Sequence, residues 1–99
     1  QIAEEAGYKA LEAANAEEAI QLLEARSDIT LVFTDVNMPG TMDGLKLAHY
    51  IRDRWPPVRL MVASGVASLA ERDLPAGTTF FRKPYAERSI VDEMKRLLA

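Results

Sequence analysis

Two periodicities alternate along this chain, and their order predicts the architecture. Ile29 to Asp35, Val58 to Ser64 and Thr78 to Lys83 are short apolar runs bounded by turn residues, the pattern of strands buried on both faces. Tyr8 to Ala13 is a fourth, weaker strand candidate. Between these runs the apolar spacing changes to that of helices. Asn15-Ala16-Glu17-Glu18 predicts a capping box, after which Ala16, Ala19, Ile20 and Leu23 share one face. Asp43 opens a second helix with Leu45, Ala48, Ile51 and Trp55 as its stripe, and Pro56-Pro57 ends it. Val66 to Leu74 predicts a short, weak helix closed by Pro75 and Gly77. Ala86 to Leu98 predicts the last helix, with Ile90, Val91, Met94, Leu97 and Leu98 on its inner side. Ile2 to Gly7 has the form of a helix end stopped by glycine.

Strands alternating with helices imply an α/β fold: a doubly wound parallel sheet with right-handed crossovers and helices on both faces. The polar residues that end the strands then gain meaning, because functional groups in such sheets collect outside the carboxyl ends of the strands. Asp35 ends one apolar run, Ser64 the next, and Lys83, followed by Pro84, the last. An acid, a hydroxyl and an ammonium are therefore expected at one crevice. The plainer alternatives are a turn-forming Asp35 before Pro39-Gly40, a helix-capping Ser64 and a surface Lys83 whose stem covers the core.

Composition narrows the function classes. Ninety-nine residues with 48% hydrophobic content suit one domain, residues 1–99, with a real core. There is no cysteine, so disulfides and thiolate metal sites are excluded, as fits a reducing, cytoplasmic setting. No apolar stretch approaches a membrane span, so no membrane partner is expected. A net charge of −3 without a basic block argues against direct nucleic-acid binding. His49, off the helix stripe and the only histidine, reads as a surface residue.

The segments Thr34-Asp35-Val36-Asn37-Met38-Pro39-Gly40, Asp43-Gly44, Ala63-Ser64-Gly65 and Lys83-Pro84-Tyr85, in this order, resemble a response regulator receiver domain, the phosphoacceptor module of two-component signalling. The resemblance runs from about Gly7 to Leu98. It implies a flavodoxin-like sheet of strand order 2-1-3-4-5. It also implies that Asp35 is phosphorylated by a histidine kinase or phosphotransfer protein, that Ser64 and Phe80 are the switch pair, and that Lys83 assists the transfer. Pro84 would follow a cis bond. Mg²⁺ would be held by Asp35, by the backbone carbonyl of Asn37 and by an acidic pair. The domain would be no enzyme beyond assisting its own phosphorylation and dephosphorylation. Its helix–strand–helix face at the C-terminal side would bind partners or form a receiver homodimer.

In the family the acidic pair follows the first strand, which lies in the middle of the sheet. Neither the strand nor the pair has a counterpart in these 99 residues. Omitting about five core residues at roughly 1.5–3 kcal/mol each would cost as much as a domain's stability of about 5–15 kcal/mol. The native protein is therefore expected to carry that strand ahead of Gln1. A phosphorylation-independent, receiver-like interaction module is the alternative function. An aspartate-nucleophile phosphatase is disfavoured, because its general acid would stand where Asn37 does.

Overall fold

The computed structural model describes residues 4, 7–36, 43–65 and 71–99. The elements are α1 (Ala16–Ala25), β1 (Leu31–Asp35), α2 (Gly44–Arg54), β2 (Arg59–Ser64), a 3₁₀ turn (Glu71–Asp73), β3 (Thr79–Arg82) and α3 (Glu87–Leu97). The strands form one parallel sheet, β1-β2-β3. In register, Asp35 lies opposite Ala63, and Ser64 opposite Arg82. Parallel strands end at the same edge, so the sheet delivers Asp35, Ser64 and the residue after Arg82 to one side of the molecule.

The helix starts follow the expected capping chemistry. The Asn15 side chain accepts from the Glu18 amide at 2.9 Å. Glu18 answers by accepting from the Ala14 amide at 2.9 Å, one residue earlier than a standard capping box. Asp43 caps α2 by accepting from the Lys46 amide at 2.9 Å. At the other end of the chain, Gly7 has φ 94° and its amide donates to Glu4 O at 3.0 Å. That is the left-handed glycine stop expected after a helix.

Side-chain alternation sorts the core into two layers. On one face Val32, Leu60, Val62 and Phe80 meet α1 and α2 through Ala16, Leu23, Leu47, Ala48 and Ile51. On the other, Leu31, Phe33, Met61 and Phe81 meet α3 through Ile90, Met94 and Leu97, with Tyr85 and Tyr8 alongside. Phe33, Phe81 and Tyr85 pack edge to face or tilted, with centroids 6.1–6.3 Å apart. Phe80 and Phe81 are thus both half-buried, on opposite faces. Neither ring points to solvent, because helices cover both sides of this sheet.

Three expectations change. Tyr8 to Ala13 is not a strand. It lies across a trough of ≈ 1420 Å³ from β1, and without a ladder partner extended backbone has nothing to hold it as sheet. The stripe of α2 centres on Leu47, Ala48 and Ile51, with Leu45 and Trp55 at its margins. Of the helix expected over Val66 to Leu74, residues 66–70 lie outside the described residues, and Glu71–Asp73 is a single 3₁₀ turn. Of the turn expected over Val36 to Gly40, residues 37–40 also lie outside them. His49 is exposed, and its Nε2 sits 2.9 Å from Asp73 O.

One polar cluster ties α3 to the sheet. Glu93 accepts from the Thr79 hydroxyl of β3 and from Arg96 Nε and Nη2 at 2.8 and 2.6 Å. The Arg96 guanidinium, with the Thr79 hydroxyl, holds the Glu93 carboxyl below its usual value against the opposing effect of partial burial. A carboxyl with a lowered folded value contributes stability that is present above its unfolded pKa and lost as pH falls through the folded one. Glu93→Gln is therefore expected to cost stability at neutral pH. The variant and the parent should converge as pH falls through the lowered Glu93 value, in urea titrations run across the acid range.

Candidate functional site

β1 ends at Asp35, whose side chain is 34% exposed, and β3 hands on to Lys83, 40% exposed. Lys83 Nζ donates to Asp35 Oδ2, so the two groups form an ion pair that reaches across the end of β2. Two backbone bonds hold this arrangement: the Lys83 amide donates to Ser64 O at 2.9 Å, and the Val36 amide to Ala63 O at 3.0 Å. The hydrogen bond to Asp35 raises the Lys83 pKa and outweighs the desolvation that lowers it, and the charge of Asp35 adds a smaller rise. The ammonium is thus firmly protonated at neutral pH. The Lys83–Pro84 peptide is cis.

Ser64 is fully buried at the end of β2. By alternation it shares the face of Leu60 and Val62, which is also the face of Phe80. Phe80 packs half-buried on that layer, with the Arg82 guanidinium 5.1 Å from its ring centroid. Asp35 and Lys83 are thus brought into direct contact. Ser64 stands at the same sheet edge, and Phe80 lies below it on the same side. Asn37, expected to offer a backbone carbonyl, lies outside the described residues.

The site suits the handling of anions, because a half-exposed carboxylate has a cation already beside it. Its match to a metal is partial. Among the described residues no three acidic, histidine or cysteine side chains lie close enough together to hold an ion. Mg²⁺, however, keeps several waters and often takes only one or two carboxylates plus phosphate oxygens. The Asp35 carboxylate is a hard oxygen donor of the kind it prefers.

Sequence reasoning missed one contributor, Gly44. Its buried Cα lies against the Asp35 carbonyl at the start of α2, and the signal was only the Asp43-Gly44 pair after a turn.

The profile of the response regulator receiver domain matches residues 1–95. The chain belongs to this family. It is 31% identical over 98 residues to the response regulator receiver protein CpdR of Brucella abortus, covering 96% of this chain and 80% of that protein. It is 39% identical over 93 residues to the response regulator protein FleR of Pseudomonas aeruginosa, where the match covers 91% of this chain and 19% of FleR. A CheY-like receiver domain from Methanospirillum hungatei superposes with TM-score 0.85 at 28% identity, over 99% of this chain and 79% of the other. The fold is therefore the flavodoxin-like receiver fold, in which this chain shows three parallel strands of one open sheet. Receiver domains are not classical enzymes, and as a family they bind Mg²⁺ at the phosphorylation site. No helix among the described residues is long and apolar enough to cross a membrane.

Proposed function

We propose that residues 1–99 act as one phosphoacceptor domain, taking a phosphoryl group on Asp35 from a phosphohistidine of a histidine kinase or phosphotransfer protein. The observation that carries this reading is the Lys83 ammonium seated on the Asp35 carboxylate at the carboxyl edge of a parallel sheet. Family membership supports it.

An anionic carboxylate attacks an anionic phosphoryl group against charge repulsion. In the transfer an Asp35 oxygen bonds to phosphorus as the phosphorus–nitrogen bond to imidazole breaks, and the imidazole leaves with a proton. Lys83 is already positioned to offset the charge on the phosphoryl oxygens, and it needs no reorganisation at that moment. Asp35 and the Asn37 carbonyl would hold Mg²⁺, which when bound supplies further neutralisation of those oxygens. Hydrolysis resets the site: water attacks phosphorus, the bond from phosphorus to the Asp35 oxygen breaks, and inorganic phosphate departs as the carboxylate is restored. Asn37 would tune that rate.

The new group adds about −1.5 to −2 charge. A hydrogen bond from Ser64 to it, worth about 1.5–3 kcal/mol, would shift a two-state equilibrium roughly ten- to a hundredfold. Phe80, on the same side of the sheet, would follow Ser64. The face of the 3₁₀ turn, β3 and α3 would present the change to a partner or to a second receiver. A cytoplasmic location goes with this reading.

The test is incubation with acetyl phosphate and Mg²⁺, followed by peptide mass mapping. One hydroxylamine-labile phosphoryl group on Asp35 is the expected result, and an unmodified Asp35 sinks the proposal. A second reading, an interaction module that works without phosphorylation, draws on the lack of an acidic cluster among the described residues. It predicts partner binding that is indifferent to acetyl phosphate.

A further inference from the structure

α2 begins unusually close to the site strand. A Cβ on Gly44 would lie 2.1 Å from Asp35 O, 2.7 Å from Asp35 C and 2.9 Å from Val36 Cα. All three neighbours are backbone atoms, so no flexible side chain could move aside. The requirement is one of space, because Gly44 does not use the left-handed region that only glycine enters readily. The same junction is bonded twice. The Gly44 amide donates to Val36 O at 3.1 Å, and the Val36 amide donates to Ala63 O at 3.0 Å. The peptide that follows Asp35 is therefore clamped between the start of α2 and the neighbouring strand.

Neither side of the clamp yields easily. β1 is registered on β2 through Asp35 opposite Ala63. α2 is held in the core by Leu47, Ala48 and Ile51, each at most 1% exposed. A methyl group at position 44 would press on backbone atoms of Asp35 and Val36, so relief has to come from the first turn of α2 or from the Asp35–Val36 peptide. That peptide carries the Asp35 side chain.

We propose that Gly44 is a positioning residue for the Asp35 carboxylate: its bare Cα lets the first turn of α2 close on the Asp35–Val36 peptide and aim the carboxylate at Lys83. The inference rests on the phosphoacceptor reading only for its kinetic consequence. Its structural content, the placement of Asp35, is independent of it.

The experiment compares the full chain with Gly44→Ala and with Val32→Ala. The latter thins the same core layer without touching the Asp35–Val36 peptide. Two quantities are measured on the folded protein: the rate of labelling by acetyl phosphate with Mg²⁺, and the ¹³Cγ resonance of Asp35 together with the ¹⁵N resonance of Val36. Gly44→Ala is expected to label about tenfold more slowly, below the roughly 10²-fold penalty of a full-ångström misplacement. It should shift both resonances, while Val32→Ala changes neither rate nor resonances. Labelling of Gly44→Ala at the parent rate, or equal effects in the two variants, overturns the proposal. If the parent itself does not label, the phosphoacceptor reading fails, and the resonances alone decide the positioning role: shifts in Gly44→Ala only uphold it, and their absence overturns it. If Gly44→Ala does not fold, Val36→Gly loosens the same peptide without adding atoms. Slower labelling or shifted Asp35 resonance there upholds the clamp, and parent behaviour in both overturns it.

Discussion

Lys83→Gln is expected to slow phosphoryl incorporation at Asp35 by about 10²–10³-fold, the usual effect of removing one preorganised donor from a developing anion. Its effect on folding should be small. The Asp35 and Lys83 side chains are 34% and 40% exposed, and ion pairs so placed are worth about 0–1 kcal/mol. A large kinetic loss beside a small stability loss separates a catalytic lysine from one that only covers the core. Rates of acetyl phosphate labelling and urea midpoints, measured on the same preparations, show the split.

The direction of the Lys83 shift adds a second arm. Asp35 raises the Lys83 pKa above its ordinary value. A base with a raised folded value contributes stability that is complete below its unfolded pKa, about 10.4, and that fades as pH climbs through the folded one. The parent should therefore lose a little stability at alkaline pH that Lys83→Gln does not lose. At neutral pH the ammonium is intact, so lysine titration should not shape the labelling profile there. A fall in the rate between pH 7 and 9 that disappears in the variant would contradict this.

The site was legible in the sequence because its parts stand at strand ends, and strand ends are marked by punctuation. Pro39-Gly40 follows soon after Asp35, and Lys83 precedes Pro84. The helix starts at Asn15 and Asp43 were legible for the same reason: capping is local chemistry over three or four residues. What depended on tertiary partners was not legible. Tyr8 to Ala13 has the residues of a strand, but sheet exists only where a neighbour completes the ladder. Leu47 was overlooked because a stripe drawn through Leu45, Ala48 and Trp55 places it one position aside. The packed face of α2 spans Gly44 to Ile51 because α1 and the sheet both press on it. The Glu93–Thr79 contact joins residues 14 apart on different elements. The approach of Gly44 to Asp35 depends on where a helix lands against a strand, which no local pattern records.

Ile51→Ala is expected to lower stability by about 2–5 kcal/mol, the cost of losing buried methyl groups and leaving a cavity that surrounding atoms fill only in part. Ile51 is 0% exposed and sits in one cluster with Leu47, Leu60 and Val62. Its neighbours are themselves buried on α2 and β2, so little can collapse into the space and the upper half of that range is favoured. Against a total of about 5–15 kcal/mol for a typical domain, the loss is large enough to populate unfolded chains. Ile51→Val, which removes one methylene, should cost only about 0.5–1.5 kcal/mol. Trp55 is the chain's single tryptophan and packs on this cluster at the end of α2, so its fluorescence reports the urea transition without a label. The midpoint should fall while the slope stays constant, the sign of lost stability rather than altered compactness. Ile51 also anchors the helix whose first residue closes on Asp35. Molecules of Ile51→Ala that remain folded are therefore expected to label more slowly than those of Ile90→Ala, which opens a cavity on the other face of the sheet, away from α2.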